Sequence, residues 1–358
     1  MKIIHCADLH LDSSMNSILT KDKATARRDE LLASFVNMVG YAVKEGVSAI
    51  IIAGDMFDSG HIRTTTFSTV LDTILCNPQI NFYYLRGNHD YDAFLSHLEE
   101  IPDNLKLFSD DWTTYSDGVM ITGTEITEAG LSDRYDGLKL SSDAVNIVVL
   151  HGQIMENGGE INLRKLQNKN IDYLCLGHIH GYKKDRLDYR GEYCYSGCLE
   201  PRGYDEGGDC GFVLLTVDTE RKSIQSEFVP FAKRKCRVFD VDVSRAADNA
   251  AIVGCIRKAL KDKGVLPQDF WKANLVGYVP ISCDISTAFI EENFKYDYFC
   301  VKVYDKTTLT VDYDNYAKDY SLKGEFVRTV YEAEGYTDEE KAEIIRIGIR
   351  ALMKEEII

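Results

Sequence analysis

Apolar residues along this chain gather in short runs, each closed by a polar cluster. Five such runs stand out in the first half: Lys2 to Ala7, Ala49 to Ala53, Phe82 to Leu85, Ile147 to Leu150 and Tyr173 to Leu176. They are too short for buried helices and unbroken by charge in their centres, so they read as strands buried on both faces. Between them the period changes. Leu31, Phe35, Val39 and Ala42 fall near helical spacing, with Gly46 suited to the stop, and Phe67, Val70, Leu71 and Ile74 repeat the pattern. From Arg186 the chain returns to shorter strands, at Glu192 to Tyr195, Phe212 to Val217 and Ile224 to Phe231. Alternation followed by a strand-rich return predicts an α/β domain over residues 1–232, two stacked sheets flanked by helices.

The basic triplet Lys233-Arg234-Lys235 marks a boundary. Beyond it, strands at Arg237 to Val243, Ala273 to Ile281 and Tyr298 to Tyr304 alternate with helices at Ala246 to Lys261 and Thr287 to Asn293. This predicts a small α/β accessory domain over 233–305, within the usual domain range. Residues 306–358 open as a polar, tyrosine-containing stretch and end as helices. Phe326, Val327, Val330 and Tyr331 share one face, Thr337 to Glu340 form a capping box, and Ile345, Ile349 and Leu352 follow at helical spacing. Two readings stand for this end: a helical hairpin folded back on the body, or a docking element for a partner.

The residues directly behind each of the five runs carry the chemistry. The motifs are Asp8-Leu9-His10, Gly54-Asp55-Met56-Phe57-Asp58, Gly87-Asn88-His89-Asp90, His151-Gly152 and Gly177-His178-Ile179-His180. Any one of them alone is commonplace. As an ordered set they place Asp, Asn and His at the carboxyl ends of neighbouring strands, where sites in open α/β sheets form. Mixed carboxylate, imidazole and amide donors suit divalent ions such as Mn²⁺ or Fe²⁺. Asp55 is the natural bridge between two ions, because one carboxylate offers two oxygens. Asp8, His10, Asn88, His151, His178 and His180 complete two sets of about four ligands, leaving room for water and substrate.

Two carboxylates against two dications leave a positive excess that suits a phosphate, and a water between the ions would be acidified. His89 adjoins a ligand but points elsewhere, so it is read as a general acid or transition-state stabiliser. Asp58 is expected to accept a hydrogen bond from His89 and fix its tautomer. Asp90 is read as a capping or supporting residue as readily as a direct one. His61, in the loop after Asp58, is a candidate for substrate contact, since loops at strand ends often carry function. His5 is read as a packed residue and His97 as a surface or hydrogen-bonded one.

Composition changes this picture little. An apolar fraction of 45% and a charged fraction of 27% are those of a soluble globular protein. No run approaches the roughly 20 apolar residues needed to span a bilayer, and the N-terminus is not that of a signal peptide, so the expected location is cytoplasmic. Ten cysteines show no framework spacing and read as small buried hydrophobes. The formal charge of −16 argues mildly against metal-independent nucleic-acid binding, although ions and local lysines can make one face attractive to phosphate. A Gly-rich phosphate loop is missing, so any ATP dependence must come from another chain.

The ordered motifs resemble the signature of calcineurin-like metallophosphoesterases over the first 230 residues or so. The opening Ile3-Ile4-His5-Cys6-Ala7-Asp8-Leu9-His10-Leu11-Asp12-Ser13 and the turn Tyr195 to Tyr204 more narrowly resemble the DNA-repair exonuclease branch, which includes SbcD. That resemblance implies a four-layer α-β-β-α sandwich. One ion would be held by Asp8, His10, Asp55 and His180, and the other by Asp55, Asn88, His151 and His178. It implies His89 at the phosphate, with Arg202 and Tyr204 near the substrate. It further implies two Mn²⁺ ions, with Fe²⁺ or Mg²⁺ as alternatives, and cleavage of DNA as a duplex-end exonuclease and single-strand endonuclease. The accessory domain sits where such nucleases carry a DNA-capping domain. The C-terminal helices match those that dock on an SbcC-like coiled-coil ATPase, and two nuclease subunits per complex would be expected. The same motifs would also serve a phosphatase or phosphodiesterase acting on nucleotides or proteins. The tail would serve a mainly structural subunit of an ATPase complex.

Overall fold

A computed structural model describes residues 1–16, 19–91, 94–126, 131, 134–154, 160–281 and 283–352. The chain divides into two compact units, Met1–Lys235 and Cys236–Ile358.

The first unit is an α/β sandwich built on two six-stranded sheets. One sheet holds β1 (Lys2–Cys6), β2 (Ala49–Ala53), β3 (Asn81–Leu85) and β4 (Leu105–Leu107) in parallel order. It is completed by the antiparallel β11 (Gly211–Asp218) and β12 (Ser223–Pro230). The other runs β5 (Thr113–Ser116), β6 (Met120–Gly123), β7 (Asn146–His151), β8 (Tyr173–Gly177), β10 (Glu192–Tyr195) and β9 (Lys183–Arg186). The strands β6, β7, β8 and β10 are parallel.

Alternation along the strands decides what packs where. Ile3, Ala49, Ile51, Tyr83, Val213 and Leu215 of one sheet meet Ile121, Ile147, Val149, Tyr173 and Cys175 of the other in a shared core. His5 is fully buried and bonded through Nδ1 to the Tyr173 hydroxyl at 3.0 Å. On the first sheet's outer face, α1 (Lys21–Glu45) sets Tyr41 against Phe212, and α2 (Thr64–Leu75) sets Phe67 against Phe94, which packs on Tyr84. Gly46 ends α1 in the left-handed region at φ 65°. The second sheet's outer face buries Val148, Leu150, Leu174 and Leu176 under a thinner layer. That layer includes the turn at Tyr135–Gly137 and the short α3 (Leu163–Leu166).

The second unit has a parallel sheet of β13 (Cys236–Asp242), β14 (Phe270–Val276) and β16 (Cys300–Asp305). Its core of Phe239, Val241, Trp271 and Leu275 packs with Ile252 and Ile256 of α4 (Asn249–Asp262) and Ile290 of α5 (Thr287–Glu292). The strand expected over Ala273 to Ile281 is broken at Gly277, whose φ of 104° turns the chain. Past that turn β15 (Tyr278–Pro280) pairs instead with β17 (Thr308–Thr310). So the stretch read as a polar linker adds a strand to this unit. It continues into α6 (Tyr313–Ala317), α7 (Leu322–Glu332) and α8 (Asp338–Leu352). Val327 and Val330 of α7 meet Ile345 and Ile349 of α8. The capping box forms at α8, with Glu340 N–H donating to Thr337 Oγ1 and Thr337 N–H to Glu340 Oε2. Among the described residues all cysteines are free thiols, and no helix is long and apolar enough to cross a membrane.

Candidate metal centre

Parallel strands deliver their carboxyl ends to one edge, and the five motifs leave from there. Asp8 N–H donates to the Gly54 carbonyl at 3.0 Å, and His10 N–H to that of Asp55 at 3.0 Å, so the first two motif loops zip together. Asp90 adds a second clamp. Its buried carboxylate accepts from Phe57 N–H at 2.8 Å, Met56 N–H at 3.1 Å and Gly87 N–H at 3.0 Å, which makes it the supporting residue of two loops. Burial lifts its carboxyl to about 6 against those three donors.

The fit comes at a backbone cost. Asp8, His10, Asp55 and His178 all adopt positive φ, at 52°, 43°, 51° and 99°. Non-glycine residues rarely do so without compensation, and such strain clusters at functional sites. Glycine is required where the backbone runs closest. A Cβ on Gly54 would lie 2.1 Å from His151 Nδ1, and one on Gly87 would lie 2.2 Å from Asp55 Oδ1.

The side chains converge. Asp55 Oδ2 lies 3.7 Å from His10 Nε2 and 3.4 Å from His151 Nε2, so one oxygen faces both ligand sets. Its Oδ1 accepts the His89 N–H at 2.8 Å. Asn88 Oδ1 is 3.1 Å from His151 Nε2 and 3.3 Å from His178 Nδ1. Asp8 receives the His178 N–H at 2.9 Å, and it forms tight groups both with His10 and His180 and with Asp55 and His151.

Three of the four converging imidazoles have an oxygen beside Nδ1, outside the centre. His151 Nδ1 meets the Ala53 carbonyl at 2.9 Å, His180 Nδ1 meets Glu206 Oε1 at 2.7 Å, and His10 Nδ1 lies 3.1 Å from Asp58 Oδ1. With the proton on Nδ1, each Nε2 presents its lone pair inward. His10 Nε2 and His180 Nε2 then face each other at 3.1 Å. Two lone pairs so close repel unless a proton or a metal cation lies between them.

The field agrees. Burial pulls His151 down, yet Asp55 and Asp8 outweigh it and lift the imidazole to about 9. Burial pushes Asp55 up, but His151 and His10 hold it at about 2. At His10 burial dominates and lowers the ring, while burial raises Asp8. The donor set therefore fits divalent cations: buried carboxylates, oriented imidazoles and one neutral amide.

One expectation is corrected here. The Asp58 carboxylate contacts His10 and Arg202 (Nη1 at 2.7 Å), not the His89 ring, which instead lies with Nδ1 3.4 Å from the Asp58 carbonyl oxygen. Arg202 joins Asp58 to Glu206, with Nη2 3.0 Å from Glu206 Oε1. Tyr204 is half-buried in the same loop. His61 is exposed and joins none of the candidate metal groups among the described residues. The sequence reading missed Glu206, 26 residues past its partner His180. It is buried, and His180 and Arg202 hold its carboxyl at about 2 against that burial. It also missed Glu200, which anchors this loop to α1 by accepting from Arg27 and from Ser34 Oγ at 2.6 Å.

Comparison with known proteins points the same way. The family model described as calcineurin-like phosphoesterase matches residues 1–182. An uncharacterized metallophosphoesterase of Bacillus subtilis, YhaO, is 28% identical over 235 residues, covering 61% of this chain and 57% of the relative. The chain thus spans little more than half of that relative's length. The DNA double-strand break repair protein Mre11 of Aeropyrum pernix is 22% identical over 289 residues, 73% of this chain and 67% of its own. Its namesake in Sulfolobus acidocaldarius is 21% identical over 382 aligned positions, 97% of this chain and 94% of its own.

Proposed function

Because the chain belongs to the calcineurin-like phosphoesterases, a hydrolase family with dinuclear metal centres, we propose that it is a Mn²⁺-dependent DNA nuclease. It would hydrolyse phosphodiesters as a duplex-end exonuclease and single-strand endonuclease. Its proposed setting is break repair beside an SbcC-like ATPase docked on the C-terminal helices. The observation that carries this reading is the extent of the likeness to the Sulfolobus repair protein. It runs over nearly the whole chain and therefore includes the second unit, beyond the residues that handle phosphate in any family member.

One ion would be held by Asp8, His10, Asp55 and His180, and the other by Asp55, Asn88, His151 and His178. When bound, two divalent cations supply acidified water and screen the charge of the phosphate. The chain's own residues do the rest. Asp55 Oδ1 holds the His89 backbone, and the Asp58 carbonyl lies beside His89 Nδ1, so Nε2 is the ring atom left to face the phosphate. As water oxygen bonds to phosphorus and the ester P–O bond breaks, His89 Nε2 gives its proton to the departing oxygen, the attacking water loses one of its protons to solvent, and solvent reprotonates His89. Help of this kind contributes about 10²–10⁴-fold.

The test is incubation of the full chain with end-labelled duplex and a single-stranded circle, with Mn²⁺ and with chelator, beside p-nitrophenyl phosphate. Mn²⁺-dependent DNA cleavage is the expected result. Turnover of the monoester alone, with DNA intact even after the ATPase partner is added, would point to a phosphatase and overturn this reading.

A further inference from the structure

The two ligand sets are supported unequally. In the set of Asp8, His10, Asp55 and His180, both imidazoles have a carboxylate beside Nδ1: Asp58 lies 3.1 Å from His10 as an ion-pair contact without hydrogen-bond geometry, and Glu206 lies 2.7 Å from His180 as a hydrogen bond. In the set of Asp55, Asn88, His151 and His178, His151 rests on the neutral Ala53 carbonyl at 2.9 Å. His178 has its Nδ1 turned to Asn88, and a carboxylate, that of Asp8, meets its backbone N–H and not its ring.

The two supporting carboxylates are themselves joined. Arg202 Nη1 donates to Asp58 Oδ1 at 2.7 Å, and its Nε and Nη2 lie 3.2 Å and 3.0 Å from Glu206 Oε1. Arg202 N–H also donates to Glu206 Oε2. Glu206 is 6% exposed, a cost for a carboxylate that only a specific partner justifies. Arg202 keeps both carboxylates on the outer edges of the imidazoles, so that neither swings inward to become a ligand. Asp58 could otherwise do so, since it groups with His10 and His89 within ligating distance. The loop that carries this device is fixed at its base, because Glu200 meets Arg27 and Ser34 of α1 and Arg27 also donates to the Pro201 carbonyl at 2.9 Å.

A carboxylate behind a ligating imidazole fixes its tautomer and strengthens it as a donor, and losing such support typically costs about 10–100-fold in metal affinity. We propose that Asp58, Arg202 and Glu206 are positioning residues that make the Asp8–His10–Asp55–His180 set the tight metal site, so that the two ions bind in order. The proposal rests on the two-ion reading but not on DNA as substrate.

The experiment is a Mn²⁺ titration of the chelator-stripped full chain, with free Mn²⁺ read from its electron paramagnetic resonance signal. The wild type is expected to bind two ions in two resolved steps. Glu206→Gln should weaken the first step by about 10–100-fold and leave the second in place, and Glu206→Asp should recover part of the loss. Asn88→Ala should weaken the second step only. Should Glu206→Gln fail to fold, as judged by its thermal midpoint, Asp58→Asn at the half-buried partner of His10 carries the same expectation. Two equal steps in the wild type, or equal weakening of both steps in these variants, would overturn the ordering. If the wild type binds no Mn²⁺, the ordering and the metal centre fall together. Two ordered steps in a protein that leaves DNA intact would sink the nuclease reading and leave this one standing.

Discussion

The Nδ1 of His151 lies 2.9 Å from the carbonyl oxygen of Ala53, the last residue of β2, so strand and ligand are locked across the two sheets. The next residue, Gly54, passes so close that a methyl group there would lie 2.1 Å from the same Nδ1. Gly54→Ala is therefore expected to displace His151 from Asp55 and Asn88. Misplacement by an ångström can cost about 10²-fold in rate. Steady-state kinetics on a small diester, with metal content measured alongside, checks this. Wild-type kinetics in Gly54→Ala would contradict the packing described.

His89 is exposed, meets Asp55 through its backbone N–H, and sets its ring edge-on to that of His10 with centroids 5.1 Å apart. His89→Ala is expected to lower kcat by about 10²–10⁴-fold, the range for a general acid. Bound Mn²⁺ per chain should stay at the wild-type value. A drop in metal content equal to the drop in rate would make His89 a ligand instead.

These two residues mark what the sequence discloses. The convergence of these side chains was legible because each sits directly behind an apolar run, and strand direction alone brings such ends together. The support was not. Glu206 comes 26 residues after His180 and Asp58 precedes Arg202 by 144, distances over which only the folded chain decides pairing. Adjacency misled at Asp58, whose carboxylate serves His10 because the first two motif loops are zipped side by side. Arg27 and Arg28 look alike in the sequence, yet the helical repeat turns Arg27 inward to 1% exposure. Gly277 hid a turn inside an apolar run that reads as one strand.

Arg27 leads to a stability prediction. Its guanidinium is buried against Glu200, and breaking one side of a buried pair typically costs about 3–5 kcal/mol. Arg27→Met should lose that much in urea unfolding. Adding Glu200→Gln removes the stranded charge and keeps acceptors for Ser34 Oγ and Lys233 N–H, so part of the loss should return. A single-variant loss below about 1 kcal/mol would place the pair in the class of exposed ion pairs.

Glu30 gives the unit a dependence on acid. Burial pushes its carboxyl up, but hydrogen bonds from Arg234, Lys233 and Arg27 outweigh it and hold the group at about 2, against an ordinary 4.5. A depressed carboxyl stabilises the fold above its unfolded value and loses that contribution as pH falls through the folded value. The Glu30→Gln variant should therefore be less stable than wild type by about 2 kcal/mol above about pH 5, after allowance for solvent screening. The gap should close as pH approaches about 2. Chemical unfolding of both proteins across this range checks it, and a gap that does not depend on pH would show that the ion pairs are not its source.

Everything functional turns on whether the converging carboxylates and imidazoles form a two-ion centre that breaks phosphodiesters. The most direct measurement is hydrolysis of bis-p-nitrophenyl phosphate by the chelator-stripped chain as Mn²⁺ is returned stepwise, beside Asp55→Asn. The expected result is no turnover without metal, full rate only as the second equivalent binds, and little activity in Asp55→Asn, whose Oδ2 faces both ligand sets. Turnover that survives chelation, or persists in Asp55→Asn at the wild-type rate, would contradict it.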